Sequence, residues 1–304
     1  MRFQKDKFGT FGGLLNKNIS LQDSDVIIQG IPYEGGTSDK KGTALAPSSI
    51  RSISQDMQIL SRRGINFTKL KLLDVGDVDV FPLDGSTTRK NIENSFLHLL
   101  NNSNSPIITL GGDHSISYPL IKALNQKGKV GIIWFDAHRD LLDELINSRY
   151  SHGTPLRRSV ELENVNSSNV FLIGTRYFTE EEENFIKKNE IKELKMIDIE
   201  KVNNIYEEFR KIITKIINEV DFIHVSIDVD VLDPAHAPGT GTPVGGGMTT
   251  SMLMNFIWEI PMSEKIRTFD IVEVSPPNDA SSITIKTALG ILSEILAKIS
   301  IKKE

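Results

Sequence analysis

The chain contains no cysteine. Disulfides, thiolate nucleophiles and zinc–cysteine sites are excluded, so any metal must sit on oxygen and imidazole ligands. No apolar run approaches the roughly 18 residues of a membrane span. The opening MRFQKDKFGTFGGLLNKN lacks the continuous apolar core of a secretory leader. No lysine and arginine block marks a nucleic-acid or membrane surface: 35 basic and 40 acidic residues are interspersed, for a net charge of −5. Neither GxGxxG nor GxxxxGK[ST] occurs, so YEGGTSDKKGT (33–43) and PGTGTPVGGG (238–247) are not phosphate cradles. The second is expected to shape a pocket wall. These absences point to an ordinary soluble, cytoplasmic protein that binds neither nucleic acid nor membrane.

What is present is alternation. Short apolar runs read as strands at 26–32, 71–78, 106–112, 130–137, 170–175, 195–199 (KMIDI), 222–230 and 267–274. Several are apolar on both faces, as parallel strands covered on both sides should be. Amphipathic helices are expected at 46–63, 91–102, 117–126, 180–189, 201–220 and 281–299. This pattern predicts an α/β fold with a mainly parallel sheet. No linker or repeat divides it, so 1–304 reads as one domain, with 1–25 an extension packed on it.

In open parallel sheets ligands bind beyond the carboxyl ends of the strands. Four polar motifs fall there: GGDHS follows 106–110, DAHRD ends 130–137, DVDVLDP ends 222–230 and EVSPP ends 267–274. Side chains alternate along a strand, so Asp228 and Asp230 share a face, as do Asp136, His138 and Asp140. Buried carboxylates so placed need protons or cations. Together with His114 they carry four negative charges, which two divalent cations neutralise. Hard oxygens with two imidazoles suit manganese and tolerate nickel, cobalt, iron or zinc. Two such cations can lower the pKa of a shared water toward neutrality, giving a hydroxide nucleophile without serine or cysteine.

GGDHS, DAHRD, SHGTP and SIDVDVLDPAHAPGTGTP resemble the ureohydrolase family of arginases, agmatinases and guanidino-acid hydrolases. The resemblance runs from about residue 26 to the C-terminus. It implies a three-layer α/β/α sandwich with an eight-stranded sheet, two Mn(2+) per chain and a homo-oligomer, a trimer or hexamer. It places one metal on His114, Asp136, Asp140 and Asp228, and the other on Asp136, His138, Asp228 and Asp230. It implies that Asp140 orients the attacking hydroxide, that His152 of SHGTP is a mobile general acid–base, and that Glu273 receives the guanidinium through paired charge-assisted hydrogen bonds.

HGTP, where arginases have HGQP, favours agmatine to putrescine, with polyamine metabolism as the context. His152 disfavours formimino substrates. Guanidino acids such as 4-guanidinobutanoate or 3-guanidinopropanoate are the alternative. Arg139 departs from the small or polar residue usual there. Alternation turns it away from His138 and Asp140, toward a neighbouring element or subunit; were it in the pocket, it would favour a carboxylate tail. GTALAPSSIR (42–51) departs as well. His98 reads as structural, His224 as buried support and His236 as pocket rim. A dinuclear phosphoesterase would show DxH before its GNH-type segment, the reverse of this order. A single-zinc deacetylase of related fold would need fewer ligands, and a catalytically retired binding protein would be expected to lose some.

Overall fold

The computed structural model describes residues 10–13 and 19–303. Eight strands form one wholly parallel sheet: β1 (Val26–Gly30), β2 (Leu72–Asp77), β3 (Ile107–Leu110), β4 (Val130–Phe135), β5 (Val165–Ile173), β6 (Lys192–Leu194), β7 (Phe222–Asp228) and β8 (Ile266–Val272). Their order across the sheet is β2-β1-β3-β8-β7-β4-β5-β6. β3 and β4 follow each other in the chain yet are separated by β8 and β7. The four strands that end in polar motifs are therefore the four contiguous central ones.

Helices cover both faces. On one lie α1 (Ala46–Ser54), α7 (Ile205–Glu219), α8 (Thr250–Glu259) and α9 (Ile283–Lys303), packing Ile50, Phe209, Phe256 and Ile291 against Ile133, Phe135, Val225 and Ile227. On the other lie α2 (Gly85–Asn102), α3 (Ser117–Asn125), α4 (Pro155–Val160) and α5 (Glu180–Asn189). They bury Phe96, Leu120, Leu156 and Ile186 against Ile132 and Trp134. Alternate residues of one strand thus enter opposite cores, which gives three layers. Each fully buried Phe or Ile contributes about 1.5–3 kcal/mol.

Three expectations need correction. Residues 195–199 are not a strand. The edge strand is Lys192–Leu194, and Met196–Ile199 forms a short helix, α6. Met196 and Ile199, three apart, are both buried while Ile197 is 51% exposed, a helical and not an alternating pattern. The helix expected over 46–63 stops at Ser54, whose hydroxyl bonds back to the Arg51 carbonyl at 2.8 Å. Ile59 and Leu60 beyond it are exposed. Helices α4 and α8 were not anticipated.

Of the expected N-terminal extension, Phe11 is buried and its amide donates to Asp74 Oδ2 at 2.6 Å. Residues 1–9 and 14–18 lie outside the described residues. Among the described residues, no helix is long and apolar enough to cross a membrane.

Candidate metal centre and pocket

Parallel register explains how the cluster assembles. Trp134 pairs with Ser226 and Phe135 with Ile227, so Asp136, one residue on, arrives beside Asp228. Leu110 of β3 pairs with Ile271 of β8. Beyond β3, Asp113 caps a 3-10 turn, His114–Ile116, through Ser115 N. That turn points the His114 ring over Trp134, with centroids 4.1 Å apart and planes at 6°.

His114 Nδ1 stands 3.1 Å from Asp136 Oδ2, from Asp140 Oδ2 and from Asp228 Oδ2. One proton cannot serve three carboxylates. Neither His114 Nδ1 nor Asp140 Oδ2, both buried, makes a hydrogen bond. Donor atoms on a coordination sphere of roughly 2.1 Å radius lie about 3 Å apart, so this arrangement fits a cation. A second group adjoins it. His138 Nδ1 is 3.0 Å from Asp230 Oδ2 and 3.5 Å from Asp136 Oδ1. Asp136 thus presents one oxygen to each group. His114, Asp136 and Asp228 form one potential cation site, and Asp136, His138 and Asp230 another.

The electrostatics agree. Burial, and then the neighbouring Asp136, pushes Asp140 up to about 7. Burial likewise raises Asp228 and Asp230. Burial alone would lower both histidines, but the carboxylates outweigh it. His114 is held well above the usual histidine range, and His138 is pushed up to about 12. Asp136 lies well below the carboxylate range: burial opposes this, and the two histidines override it. A cluster that recruits protons this strongly attracts divalent cations for the same reason.

Behind His114 runs a buried polar chain that the sequence did not disclose. His114 Nε2 is 2.8 Å from Ser226 Oγ, which donates to Asp270 Oδ1 at 2.6 Å. Asp270 Oδ2 accepts from Ser117 Oγ at 2.6 Å and faces His224 Nε2 at 3.0 Å. His224 Nδ1 reaches Thr268 Oγ1 at 2.8 Å. Since the Ser226 proton goes to Asp270, Ser226 accepts from His114 Nε2–H, leaving the Nδ1 lone pair for a cation. His224 is therefore support, as expected. The one available signal was parity: His224, Ser226 and Asp228 share a strand face.

His152 is held at both ring nitrogens. Nδ1 is 3.1 Å from Glu273 Oε1, and Nε2 is 2.6 Å from Ser38 Oγ. Glu273 Oε1 also accepts from the His114 amide at 2.8 Å, while Oε2 is buried without a partner. Of the two oxygens, only Oε2 is therefore left to accept a further hydrogen bond. Burial would lower His152, but the Glu273 hydrogen bond and charge raise it to about 9. Asp140 and Glu273 both have positive φ, 55° and 61°. Non-glycine residues rarely adopt this conformation, and such strain concentrates at functional sites.

The centre opens into a cavity of about 280 Å³. His114, His138, Asp140, His152 and Asp228 line it on the side of the polar cluster, together with Leu142, Leu145, Tyr177, Phe178 and Glu182. Thr242 of the glycine-rich loop lines it too, 3.4 Å from Asp230 Oδ2. Glu182 closes the α5 capping box, accepting from Thr179 N at 2.9 Å and from Leu141 N at 3.1 Å. Larger grooves elsewhere carry no comparable cluster of paired histidines and carboxylates.

Arg139 points away from the cavity, into β6 and α5. Its Nε and Nη2 grip Glu193 at 2.6 and 2.8 Å, and Nη2 meets Glu183 at 2.6 Å. His236 does not line the cavity; it faces Thr250 at 3.4 Å. His98 is on the exposed side of α2.

The profile of the Arginase family matches residues 24–297. An agmatinase of Bacillus subtilis (strain 168) is 34% identical over 281 residues, covering 90% of this chain and 92% of that one. A guanidinobutyrase of Pseudomonas aeruginosa is 33% identical, covering 91% and 86%. The crystal structure of formimidoylglutamase from Bacillus subtilis superposes with a TM-score of 0.88 at 28% identity, covering 98% of this chain and 94% of that one. A match over the whole sheet, together with these relatives, establishes that the chain belongs to the arginase family.

Proposed function

We propose that the chain hydrolyses a guanidino group to urea and an amine, with agmatine as the substrate. One observation carries the choice of tail: among the described residues, the cavity is lined by the Glu182 carboxylate and by no lysine or arginine. An ammonium tail finds an acceptor there; a carboxylate tail meets like charge with no lysine or arginine to offset it. Leu142, Leu145, Tyr177 and Phe178 suit the methylenes between the two ends.

His114, Asp136, His138, Asp140, Asp228 and Asp230 would hold two divalent cations, with Asp136 and Asp228 shared; manganese fits the donor set. Such cations supply Lewis-acid polarisation and a reactive water. Glu273 Oε2, buried and unpartnered, would accept from the planar guanidinium. Asp140, which lines the cavity, would orient the attacking water and take its proton. His152 would move a proton to the departing amine nitrogen.

The test is product release from manganese-loaded protein over agmatine, 4-guanidinobutanoate, 3-guanidinopropanoate, arginine, guanidine and a formimino substrate, with Asp228→Asn as control. Preferred urea release from agmatine, lost in the control, is the expected outcome. Preference for a guanidino acid overturns the tail reading. Turnover of the formimino substrate alone, or of nothing, overturns the reaction.

A further inference from the structure

We propose that Ser38 is a positioning residue that relays protons between His152 and bulk water. The inference rests on the ureohydrolase reading for the reaction it serves, but its geometry stands independently.

Three groups lie in a row from inside to outside: buried Glu273, buried His152 and exposed Ser38. The spacings are 3.1 Å from Glu273 Oε1 to His152 Nδ1 and 2.6 Å from His152 Nε2 to Ser38 Oγ. The Ser38 amide also donates to Nε2, at 3.2 Å. Ser38 and His152 both line the cavity.

The contact is built into the fold. Gly36, two residues before Ser38, is clamped from both sides: its amide donates to Asp113 Oδ2 at 2.6 Å and its carbonyl accepts from the His152 amide at 2.9 Å. A Cβ at Gly36 would come within 2.6 Å of Ser115 Oγ, so a side chain there would push the loop away. Farther along, Glu34 Oε2 accepts from Gly42 N at 2.7 Å and closes the loop on itself. Backbone and ring of His152 are thus both tied to residues 36–38.

The hydroxyl matters because of what each protonation state requires. A neutral ring with its proton on Nδ1, toward Glu273, offers a lone pair at Nε2. The Ser38 amide and hydroxyl can both donate to it. A protonated ring must donate from Nε2, and an amide N–H cannot accept. A hydroxyl can, by rotating about its C–O bond. Ser38 Oγ therefore has a partner role in both states, and the amide in only one.

The relay conserves atoms and charge. As Nε2–H breaks, a new Oγ–H bond forms and the original hydroxyl proton passes to water; the inward transfer is the reverse. Guanidinium hydrolysis places both protons of the consumed water on the amine, so there is no net uptake. The route lets one proton leave and another return at separate steps. Ser38 is not placed as a nucleophile, since its own amide shares the lone pair of the would-be base.

The experiment compares wild type, Ser38→Ala and Ser38→Thr as metal-loaded full chains, with agmatine across pH and with added imidazole buffer. Loss of a proton relay should lower kcat of Ser38→Ala about 10- to 100-fold, within the range of general acid–base effects. KM should stay within about twofold, Ser38→Thr should keep most activity, and imidazole should restore Ser38→Ala in proportion to its concentration. Unchanged kcat, or a loss that buffer does not restore, overturns the relay. A second readout needs no turnover: the imidazole nitrogen shifts of His152 in 15N-labelled, metal-free protein. Followed through the pH at which the ring loses its proton, Ser38→Ala should shift the Nε2 resonance and the course of that titration; identical titrations in the two proteins overturn the contact. If wild type releases no urea, the ureohydrolase reading fails while this measurement still decides the role of Ser38.

Discussion

Arg139 and Glu193 meet as a two-pronged ion pair, Nε to Oε1 at 2.6 Å and Nη2 to Oε2 at 2.8 Å, inside the fold and facing away from the cavity. The guanidinium also lies 3.6 Å from the ring centroid of Phe178, a cavity-wall residue. The positive charge between His138 and Asp140 thus braces the wall against β6 and α5. Arg139→Met takes the fork from Glu193, which keeps the Thr175 hydroxyl at 2.7 Å and the Lys195 ammonium at 3.7 Å, and should destabilise the fold by about 1.5–3 kcal/mol. Arg139→Lys should fall between, because an ammonium cannot reproduce the fork. Urea denaturation midpoints measure both. The order of preference over the guanidino panel should not invert; an inversion would mean that Arg139 reads the tail.

The same brace sets an acid sensitivity. The Arg139 hydrogen bond is the main cause that pulls Glu183 down to about 2. The folded pKa lies below the unfolded value, so this contribution is complete above about 4.5 and disappears as pH falls through 2. Glu183→Gln should therefore have a lower melting temperature than wild type at pH 7. The gap should narrow at pH 3.5 and close near pH 2, as read by thermal melts at constant ionic strength. A gap independent of pH would assign the effect to packing.

Much of this was legible because one local signal held. The α/β alternation put the carboxylates and histidines at strand ends, and there they are. Strand parity, which pairs Asp228 with Asp230 and Asp136 with His138 and Asp140, does not hold, because β4 ends at Phe135, β7 ends at Asp228 and Asp230 sits in the 3-10 turn Val229–Val231. What escaped depends on register. Asp270 supports His114 only because β8 pairs Asp270 opposite Ser226, and no single strand announces its neighbour. Ser38 reaches His152 across 114 residues of chain through a loop closed by Asp113 and Glu34. Glu182 reads as a helix cap, which it is, and its place in the cavity wall follows from where α5 begins. The edge of the sheet was misplaced because KMIDI, without its neighbours, satisfies the composition of a strand; only the burial of both Met196 and Ile199 reveals the turn of helix.

Ser226 offers the sharpest test of how the sheet tunes the centre. Its hydroxyl proton is committed to Asp270, so its lone pair fixes the His114 proton on Nε2 and clears Nδ1. Ser226→Ala removes that instruction while leaving all six candidate ligands in place. The ring is then free to carry its proton on Nδ1, where the carboxylates of Asp136, Asp140 and Asp228 attract it, and a cation must displace that proton to bind. Metal affinity should fall about 10- to 100-fold, the usual effect of losing such a support. Competition with a chromogenic chelator measures it, and the loss should be greater at lower pH, because protons compete with the cation for Nδ1. Urea release should return toward the wild-type rate at saturating manganese. Unaltered affinity at every pH would show that the carboxylates alone orient His114 and that the buried chain to Asp270 serves packing.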